Sequence, residues 1–386
     1  MKVVLFEDKK VSNFYPISRL RTVDEIRTGR WTQKERVALQ FKTTPLSHSY
    51  REFFGDEFQV ESDTLFLNAR LKDFSFFHKL DNNMCIVNKD GEILGYRGDR
   101  IIKSGNFDGF KVTTKEIPLY NFIWEIIEDL HGNLTGNLES DGSLGKVLSP
   151  INDFVHIRDK KNIYIGNNVR IGEGVVLNSE EGPIWIEDNV TIESHSFVKG
   201  PSYIGKGSKI KPGAILDVVA LGEVVKLCGE IEETIFQGYS NKQHLGFLGH
   251  AFIGEWVNLG AGTTNSDLKN NYSKVRVVLE GKLYETGMQF LGAIIGDHTK
   301  AAINTTFNTG TIVEPFCNIF GRTYPPKYVP PFTWWCGESS AEYRLDSAIE
   351  TAVKVMKRRD RILDENYKKR ITNFFSETKT IRKGMK

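Results

Sequence analysis

The stretch PIWIEDNVTIESHSFVKGPSYIGKGSKIKPGAILDVVA (Pro183–Ala220) repeats one pattern every six residues. Each repeat has a large aliphatic residue and, four residues later, a small or β-branched one. A six-residue period fits neither an α-helix nor the two-residue alternation of a plain strand. The large residues are Ile186, Ile192, Val198, Ile204, Ile210 and Leu216, and their partners are Val190, Ser196, Ser202, Ser208, Ala214 and Ala220.

The same period continues on both sides of this stretch. It predicts short flat strands joined by tight corners, which is the hexapeptide signature of a parallel β-helix. An ordinary β-sandwich is the alternative, and it would require turn signals every 8–12 residues. The further large residues are Ile165, Ile171, Leu177, Ile253, Leu259, Ile295, Ala301, Phe307, Val313 and Ile319, with the small partners Val169, Val175, Thr299, Thr305, Thr311 and Cys317.

Two segments break the period. Asn265–Phe290 is polar and too long for a corner, so we expect it to loop out of the β-helix. After Arg322 the chain becomes rich in proline and aromatic residues. Ser339 and Glu342 then form a capping-box pair, and apolar residues at helical spacing predict a terminal helix that caps or crosses the β-helix.

The N-terminal part reads as mixed α/β. A helix is predicted from Pro118 to Leu130, stopped by Gly132. The Gly-, Asn- and Ser-rich residues that follow suit a linker. The predicted strands are Val3–Phe6, Leu65–Leu67 and Met84–Val87.

These observations divide the chain into four parts. We expect an α/β domain at 1–132, a linker at 133–150, the β-helix at 151–322, and the Pro/aromatic stretch with its helix at 323–386.

Composition limits the classes of function. The formal net charge is only +2, so no bulk electrostatic attraction to nucleic acid or to an anionic membrane is expected. The chain shows no run of apolar residues long enough to span a membrane and no signal-peptide core at its start. The four cysteines show no metal-ligand spacing, which favours reduced thiols in a cytoplasmic protein.

Three strings carry a family resemblance: SNKQHLGFLGHAFIGEWVNLGAGTTNSDLKNNY (Ser240–Tyr272), FLGAIIGDHTKAAINTTFNTGTIV (Phe290–Val313) and RTVDEIRTGRWTQKE (Arg21–Glu35). With these the chain resembles the bifunctional N-acetylglucosamine-1-phosphate uridyltransferase/glucosamine-1-phosphate acetyltransferase family, in the shorter variant known as a sugar nucleotidyltransferase. The resemblance implies a left-handed β-helix. It also implies a homotrimer with acyl-transfer sites between neighbouring subunits.

The resemblance also implies an acyltransferase site. His244 falls on the family's catalytic base, and a histidine suits that role because imidazole titrates near neutral pH. Asn258 falls on a residue that contacts the amino sugar. Ala261, and Gly262 beside it, fall on the segment that faces acetyl-CoA. The alternative is that His244 is one histidine among eight, at the edge of the β-helix.

Two residues depart from the family's pattern. Phe247 replaces a tyrosine that helps to position the substrate, and Glu232 replaces a lysine that binds the sugar's phosphate. A carboxylate at that place repels a phosphate, so the substrate stays open. Lys242, Lys269 and Lys274 are alternative sources of positive charge, or simply solvated side chains.

The nucleotidyltransferase half is reduced. The first strand is followed by EDKKVSNFYP (Glu7–Pro16), which lacks the Gly-rich loop that cradles a triphosphate. Basic residues of the following segment remain, and they either bind phosphate or pair with nearby carboxylates. The strand that ends in a metal-binding aspartate in larger relatives ends here in an asparagine, a weaker ligand for Mg²⁺. The predicted nucleotide- or phosphate-binding residues are Arg19, Arg27, Lys34 and Asn68.

Three functions are therefore open. The first is acetyl-CoA-dependent acyl transfer to an amino sugar, in an enzyme with a reduced sugar-1-phosphate nucleotidyltransferase domain. The second is a nucleotidyltransferase whose β-helix only oligomerises. The third is a non-catalytic assembly or binding protein.

Overall fold

The computed structural model describes residues 2–51, 54, 60–61, 63–102, 106–321, 323–337 and 339–382. The chain divides into two compact units. The first unit comprises Met1–Phe14, Arg21–Ile26 and Trp31–Glu125, and the second comprises Tyr15–Leu20, Arg27–Arg30 and Ile126–Lys386.

The described part of the first unit contains one six-stranded sheet with the strand order β2-β1-β3-β5-β4-β6. The central strand β1 pairs in parallel with β2 and β3, whereas β5 runs antiparallel to β3 and β4. The three predicted strands are confirmed as β1, β3 and β4. The bounds are β1 (Lys2–Phe6), β2 (Leu46–His48), β3 (Thr64–Asn68), β4 (Met84–Val87), β5 (Ile93–Gly98) and β6 (Lys111–Thr114).

The described residues before residue 140 form three helices: α1 (Gln33–Phe41), α2 (Ile123–Glu128) and α3 (Leu130–Glu139). The prediction that Gly132 stops the helix is wrong, because α3 runs through it. Leu130, Leu134 and Leu138 are fully buried on one face of α3. This burial outweighs the roughly 1 kcal/mol that a glycine costs inside a helix. Short 3₁₀ turns span Lys9–Phe14, Ile17–Arg19, Val23–Glu25, Ser75–Lys79 and Lys160–Asn162.

The predicted linker is partly structured. Its first residues lie in α3, and its last residues join the β-helix, where the Leu148 N–H donates to the Ile165 carbonyl at 2.8 Å. Gly145 adopts φ +85°, a conformation that favours glycine. This glycine of the predicted linker therefore forms a tight turn.

The second unit is a parallel β-helix, which confirms the prediction from the six-residue period. Most of its strands stack in two sheets, and the larger one, sheet I, joins two ladders through its longest strands, Ile215–Leu221 and Glu230–Gly238. Sheet I contains β7 (His156–Arg158), β8 (Ile163–Ile165), β10 (Val176–Asn178), β11 (Ile184–Ile186), β13 (Phe197–Lys199), β14 (Ser202–Ile204), β16 (Ile215–Leu221), β18 (Glu230–Gly238), β20 (Phe247–Gly249), β21 (Phe252–Glu255), β26 (Ile294–Ile295), β29 (Ile312–Val313) and β31 (Tyr328–Val329).

Sheet II stacks one short strand from each successive coil, a coil being one full turn of the β-helix, and ends in one antiparallel strand, Ser340–Glu342. Its strands are β9 (Arg170–Ile171), β12 (Thr191–Ile192), β15 (Lys209–Ile210), β17 (Lys226–Leu227), β19 (Asn241–Lys242), β22 (Asn258–Leu259), β27 (Lys300–Ala301), β30 (Asn318–Ile319), β32 (Thr333–Trp335) and β33 (Ser340–Glu342). A third, shorter ladder pairs β23 (Thr264–Asn265) with β28 (Thr306–Phe307).

The predicted large residues form the core, and the small partners form the corners. Ile186, Ile192 and Ile210 are fully buried. At one corner the Ser208 hydroxyl donates to the Gly222 carbonyl at 3.3 Å and accepts the Val225 N–H at 3.1 Å. A small polar residue is required there because its hydroxyl satisfies main-chain groups of the next coil.

The predicted pairing of Leu216 with Ala220 at a corner is wrong. Strand β16 continues through Ala220 to Leu221, and Val218 takes φ +53° within it. The inward register therefore shifts, and Val219 and Leu221 enter the core. The six-residue period of the sequence does not reveal this register shift, because Ala220 is small and would be buried in either register.

The long interruption after β23 leaves the parallel ladder, as predicted. It contains an antiparallel hairpin of β24 (Arg276–Leu279) and β25 (Lys282–Glu285). Val275, Val277 and Leu279 are buried, so the hairpin has an apolar side.

The C-terminal segment forms several elements instead of the one predicted helix. Ser340–Glu342 is strand β33, which pairs with β32, so the predicted capping box is wrong. The helices are α4 (Leu345–Lys357), α5 (Glu365–Glu377) and α6 (Lys379–Arg382). Ala352 of α4 and Phe374 of α5 share a buried cluster with Phe316 and Phe332, which confirms that the apolar stripe packs on the β-helix.

Among the described residues, no helix combines the length and the apolar character that crossing a lipid bilayer requires.

Candidate functional site

Four residues that the resemblance implied, His244, Asn258, Ala261 and Gly262, lie on two neighbouring coils. His244 follows β19, and Asn258 begins β22, which pairs in parallel with β19. The Gly262 N–H donates to the Leu245 carbonyl at 3.1 Å, so the turn that carries the histidine stacks directly on the Ala261–Gly262 turn. The structure therefore brings these four residues together.

The Ala261–Gly262 turn requires its glycine. Gly262 has φ +72°, and a Cβ there would lie 2.2 Å from the Asn304 Oδ1 of the following coil. The Asn304 N–H in turn donates to the Ala261 carbonyl at 2.6 Å. The Asn304 side chain fills the space where a Cβ of residue 262 would lie, so the lack of a side chain at Gly262 allows the two coils to stack closely.

The histidine turn faces outward. His244 and Asn258 are exposed, and the imidazole of His244 has no hydrogen-bond partner among the residues that the structure describes. Leu245 and Ile303 are 69% and 68% exposed. The arrangement therefore offers an exposed imidazole and an exposed amide side chain, on a surface that also exposes the apolar side chains of residues 245 and 303.

Lys242 does not supply positive charge at the surface, contrary to the sequence-based suggestion. It is fully buried at an inward position of sheet II, where Leu227 of the neighbouring strand also points inward. Its Nζ donates to the Cys228 carbonyl at 3.2 Å and to the His244 carbonyl at 2.8 Å. Burial lowers the pKa of Lys242 to about 8. Lys242 thus holds the main chain of the histidine turn from inside.

The other suggested lysines belong to the interrupting loop. Lys269 donates to the Ser273 hydroxyl at 3.4 Å and to the Lys274 carbonyl at 2.5 Å, so it stabilises the loop locally.

Glu232 lies in an acidic neighbourhood. It pairs in register with Asp217 on one side and with Gly249 on the other. Burial raises the pKa of the Glu232 carboxyl, and Asp217 and Asp267 raise it further, while His250 opposes the rise. This place on sheet I therefore disfavours a phosphate, in agreement with the expectation from the sequence.

Sequence reasoning missed a second histidine with a carboxylate partner. His250 Nδ1 lies 2.9 Å from Asp267 Oδ2, and its Nε2 lies 3.4 Å from Glu233 Oε2. The signal that could have found the pair is the spacing of 17 residues, because Asn241 and Asn258 show that this spacing moves the chain by one coil. Both ring nitrogens of His250 therefore face carboxylates, which leaves neither nitrogen free to contact a substrate.

The four predicted phosphate-binding residues are divided between the two units. Arg19 and Arg27 fall in the second unit, and Lys34 and Asn68 fall in the first. In the second unit, Arg19 Nε and Nη2 bind the buried Glu314 carboxylate at 2.9 and 2.8 Å. The Arg27 side chain donates to the Arg30 carbonyl, and the Arg27 main-chain N–H donates to Gln237 Oε1 at 3.0 Å.

In the first unit, Lys34 and Asn68 are also engaged in the fold. Lys34 Nζ donates to the Ser47 hydroxyl at 2.9 Å, and Ser47 donates to the buried Asp24 at 2.6 Å. Burial raises the pKa of Asp24 to about 7. Asn68 Nδ2 donates to Asp8 Oδ2 at 2.8 Å.

The Asp8 carboxylate is already paired. Arg70, which is 1% exposed, binds Asp8 at 2.6 Å and Glu92 at 2.8 Å, and Lys10 binds Glu92 at 2.9 Å. Within the described residues, no group of three or more His, Cys, Asp or Glu side chains is placed to hold a metal ion. The strand end with Asn68 therefore does not fit a Mg²⁺ site.

Known proteins resemble both halves of the chain. Residues 3–140 match the family described as sugar nucleotidyl transferase. The bifunctional sugar-1-phosphate nucleotidylyltransferase/acetyltransferase of Sulfurisphaera tokodaii is 33% identical over 157 residues, which cover 37% of this chain and 38% of that protein. The bifunctional protein GlmU of Methanococcus vannielii is 28% identical over 296 residues, which cover 67% of this chain and 70% of that protein.

The matches with the first curated relatives span 38% and 41% of their lengths. Among solved structures, the UDP-N-acetylglucosamine acyltransferase from Campylobacter jejuni matches 60% of this chain and 97% of that chain, with 14% identity and a TM-score of 0.29.

Proposed function

We propose that this protein is an enzyme of sugar-nucleotide metabolism that transfers an acyl group from acyl-CoA, such as acetyl-CoA, to the amino group of an amino sugar. The transfer takes place at the β-helix, and the N-terminal unit is a reduced nucleotidyltransferase domain. The observation that carries the proposal is the stacking of the His244 turn on the Ala261–Gly262 turn, with Asn258 on the adjoining strand. The Sulfurisphaera tokodaii relative, described as a nucleotidylyltransferase/acetyltransferase, supports it.

Each residue has a role that follows from its place. The exposed His244 imidazole accepts the proton that the amine loses as its nitrogen forms a bond to the acyl carbon. Asn258 offers an amide that donates and accepts hydrogen bonds with sugar hydroxyl groups. The resemblance assigns the Ala261–Gly262 turn to the acyl carrier, and this turn lies directly against the His244 turn. Acyl-CoA supplies the activated thioester, and its thiolate leaves with the electron pair of the broken C–S bond.

Lys242 acts through His244. Its ammonium group holds the His244 carbonyl at 2.8 Å, which fixes the main chain from which the imidazole projects. A base on a fixed main chain loses less conformational freedom when it reaches the transition state.

The homotrimer implied by the resemblance is part of the proposal. The side chains of Leu245 and Ile303 on the histidine face are more than two thirds exposed. In a trimer these apolar side chains would be covered by a neighbouring subunit, beside the site that the neighbour completes. A cytoplasmic location follows from this chemistry, because acyl-CoA and sugar phosphates are cytoplasmic metabolites.

A second candidate function is sugar-1-phosphate nucleotidyl transfer in the N-terminal unit. One observation favours it: residues 3–140 match the family described as sugar nucleotidyl transferase. The pairing of Asn68 with Asp8 and of Arg19 with Glu314 counts against it. We derive no step through Mg²⁺, since the residues at the strand end do not fit one. Release of pyrophosphate from a nucleoside triphosphate and a sugar-1-phosphate would establish this activity.

The proposed acyl transfer is tested by direct assay. The purified protein is incubated with acetyl-CoA and a panel of hexosamines and hexosamine phosphates, and the products are identified by mass spectrometry. We expect an N-acetylated sugar that forms only when both substrates are present. Absence of acylation with every amino sugar and with longer acyl-CoA donors would refute the proposal.

A further inference from the structure

A cavity of about 380 Å³ lies between sheet II and the C-terminal end of α4, both within the second unit. Its sheet side is lined by Lys226, Asn241, Asn258 and Lys300, and its helix side by Arg358 and Arg359. Asn258 belongs to the candidate acyl-transfer site, so the cavity adjoins that site. His244 does not line the cavity, although the preceding residue, Gln243, does.

The four sheet residues form one outward-facing ladder. Lys226 pairs in register with Asn241, Asn241 with Asn258, and Asn258 with Lys300. Residues in register share a face of the sheet, and neighbouring strands lie about 4.8 Å apart, so the ladder from one lysine to the other measures roughly 14 Å. The two amides in the middle contact each other, with Asn241 Nδ2 3.4 Å from Asn258 Oδ1.

Positive charge in the cavity is not balanced. Among the described residues that line it, four are basic and none is acidic. Burial lowers the pKa of Lys226, and the neighbouring Arg359, Lys209 and Arg358 lower it further. Burial also lowers the pKa of Arg359, again with a contribution from Arg358. The cations at this end repel each other, and a bound anion would relieve that repulsion.

The two ends of the ladder differ in charge. Burial lowers the pKa of Lys300 to about 7, and its Nζ already donates to the main-chain carbonyls of Trp256 and His298 at 2.7 and 2.8 Å. Lys300 is therefore only partly protonated at neutral pH, and it already donates two hydrogen bonds to main-chain carbonyls. The strong cationic end is the one formed by Lys226, Arg358 and Arg359.

The Nε–H group of Arg359 is a hydrogen-bond donor without an acceptor among the described residues. Its Nη2 donates to Asn241 Oδ1 at 2.9 Å, which fixes the guanidinium at the cavity wall. Its Nε is buried, and the described part of the chain offers it no hydrogen-bond partner. Leaving a buried donor unsatisfied is unfavourable, so an anionic oxygen at this position would stabilise the structure.

An aromatic wall completes the cavity. Tyr239 and Trp256 both line it, and their rings stack with centroids 4.5 Å apart. The stacked pair, with Trp256 only 5% exposed, forms a closed apolar wall, while the amides of Asn241 and Asn258 match the hydroxyl groups of a sugar.

We propose that this cavity binds a sugar phosphate, with the phosphate at Lys226, Arg358 and Arg359 and the sugar at Asn241 and Asn258. This inference rests on the proposed acyl transfer and deepens it, because it identifies the phosphate-binding residues of the acceptor. It also explains how Glu232 is compatible with a phosphorylated acceptor, since the phosphate is held on sheet II instead of beside Glu232 on sheet I.

The test measures binding by calorimetry with the full chain. The ligands are a hexosamine phosphate, the unphosphorylated hexosamine and coenzyme A, and the variants are Lys226→Gln, Arg358→Gln and Arg359→Gln. Lys282→Gln is the control, because Lys282 is an exposed lysine of β25 that does not line the cavity. Arg358 is exposed, so its variant keeps the fold.

We expect each cavity variant to raise the Kd for the hexosamine phosphate by about tenfold or more, because each removes a charge-assisted contact. The control variant and the binding of coenzyme A should be unchanged. An unchanged Kd for the hexosamine phosphate overturns the inference. So does a selective loss of coenzyme A binding, which would assign the cavity to the phosphates of the acyl carrier.

The two proposals fail in distinguishable ways. One outcome is a protein that binds the sugar phosphate through Lys226 and Arg358 but shows no acyl transfer. This outcome would refute the proposed function and support the binding site. The other outcome is acyl transfer with the same KM for the sugar phosphate in the wild type and in all three cavity variants. This outcome would support the proposed function and refute the binding site.

Discussion

Lys242 shows how much a single residue in the core can determine. It stands at a position of sheet II where the adjoining strand carries Leu227 in the core, yet it places an ammonium group inside the β-helix. Two main-chain carbonyls, from Cys228 and His244, solvate that group. A charge with only two neutral acceptors is expensive to bury, and the lowered pKa of about 8 reflects this cost.

The lowered pKa of Lys242 predicts a particular pH dependence of stability. Between pH 8 and 10.5 the unfolded chain holds a proton on Lys242 that the folded chain has largely lost. The free energy of unfolding contributed by this group therefore rises with pH across that window, by up to about 3 kcal/mol. Urea unfolding at several pH values, in wild type and in Lys242→Met, measures it.

The comparison isolates Lys242 because every other titratable group is the same in both proteins. We expect the difference in unfolding free energy between wild type and the variant to shift in favour of wild type as the pH rises. If the unfolding free energies of wild type and variant keep a constant difference from pH 8 to 10.5, Lys242 is not desolvated as described.

The sequence could not reveal this role of Lys242. A search for large apolar residues every six positions skips a lysine, so the position was assigned to the surface. His244 and Asn258 were easier to find, because short strings around them carry a resemblance. The ion pair of Arg19 with Glu314 was hidden by a separation of 295 residues.

At the scale of elements, the turns between strands determine the site. The turn at Ala261–Gly262 holds a main-chain surface against the next coil, and the turn at His244 lies on top of it. Both depend on backbone conformation more than on side-chain packing, which is why glycine at residue 262 matters.

Gly262→Ala tests this turn. The variant should lose stability for two reasons: alanine at φ +72° is strained, and its Cβ would lie 2.2 Å from Asn304 Oδ1. Gly213→Ala is the control, because Gly213 has φ +69° and nothing within 4 Å of the Cβ position. We expect a larger fall in Tm for Gly262→Ala than for Gly213→Ala, with a raised KM for acyl-CoA only in the former. Equal effects of the two variants would argue against a close-packed turn.

Elements of the β-helix were predictable from sequence because each coil repeats the same local rule. The C-terminal elements were not, since Ser340–Glu342 pairs as a strand with β32 although its sequence offers a helix cap. Pairing with a neighbouring strand overrode the local signal there. Helix α3 illustrates the same effect, because burial of three leucines overrode two glycines.

At the scale of the whole molecule, the fold of the second unit could be predicted from the sequence more fully than the fold of the first. The period of six gave the β-helix from its own residues, whereas the sheet order of the N-terminal unit depends on pairings between distant strands that no local pattern encodes. The cavity beside Asn258 was also unpredictable, since it exists only because the end of α4 meets sheet II.

The proposed trimer makes a prediction about the apolar residues of the histidine face. Light scattering of the wild type should give three times the mass of one chain. Leu245→Glu should dissociate the trimer, because it would place a charge in a buried contact. The control is Ile362→Glu, at a residue that is 88% exposed on the C-terminal segment. If the wild type is monomeric at micromolar concentration, the proposed acyl-transfer site between subunits is wrong.

The most direct test of the account is the rate of acyl transfer in His244→Asn. Asparagine keeps a polar side chain but cannot take up a proton, so we expect the rate to fall by roughly 10²–10⁴-fold while the Kd for acyl-CoA hardly changes. The matched control is His195→Asn, at an exposed histidine of another coil, which should keep the wild-type rate. If His244→Asn transfers the acyl group as fast as the wild type, His244 is not the base and the central claim is wrong.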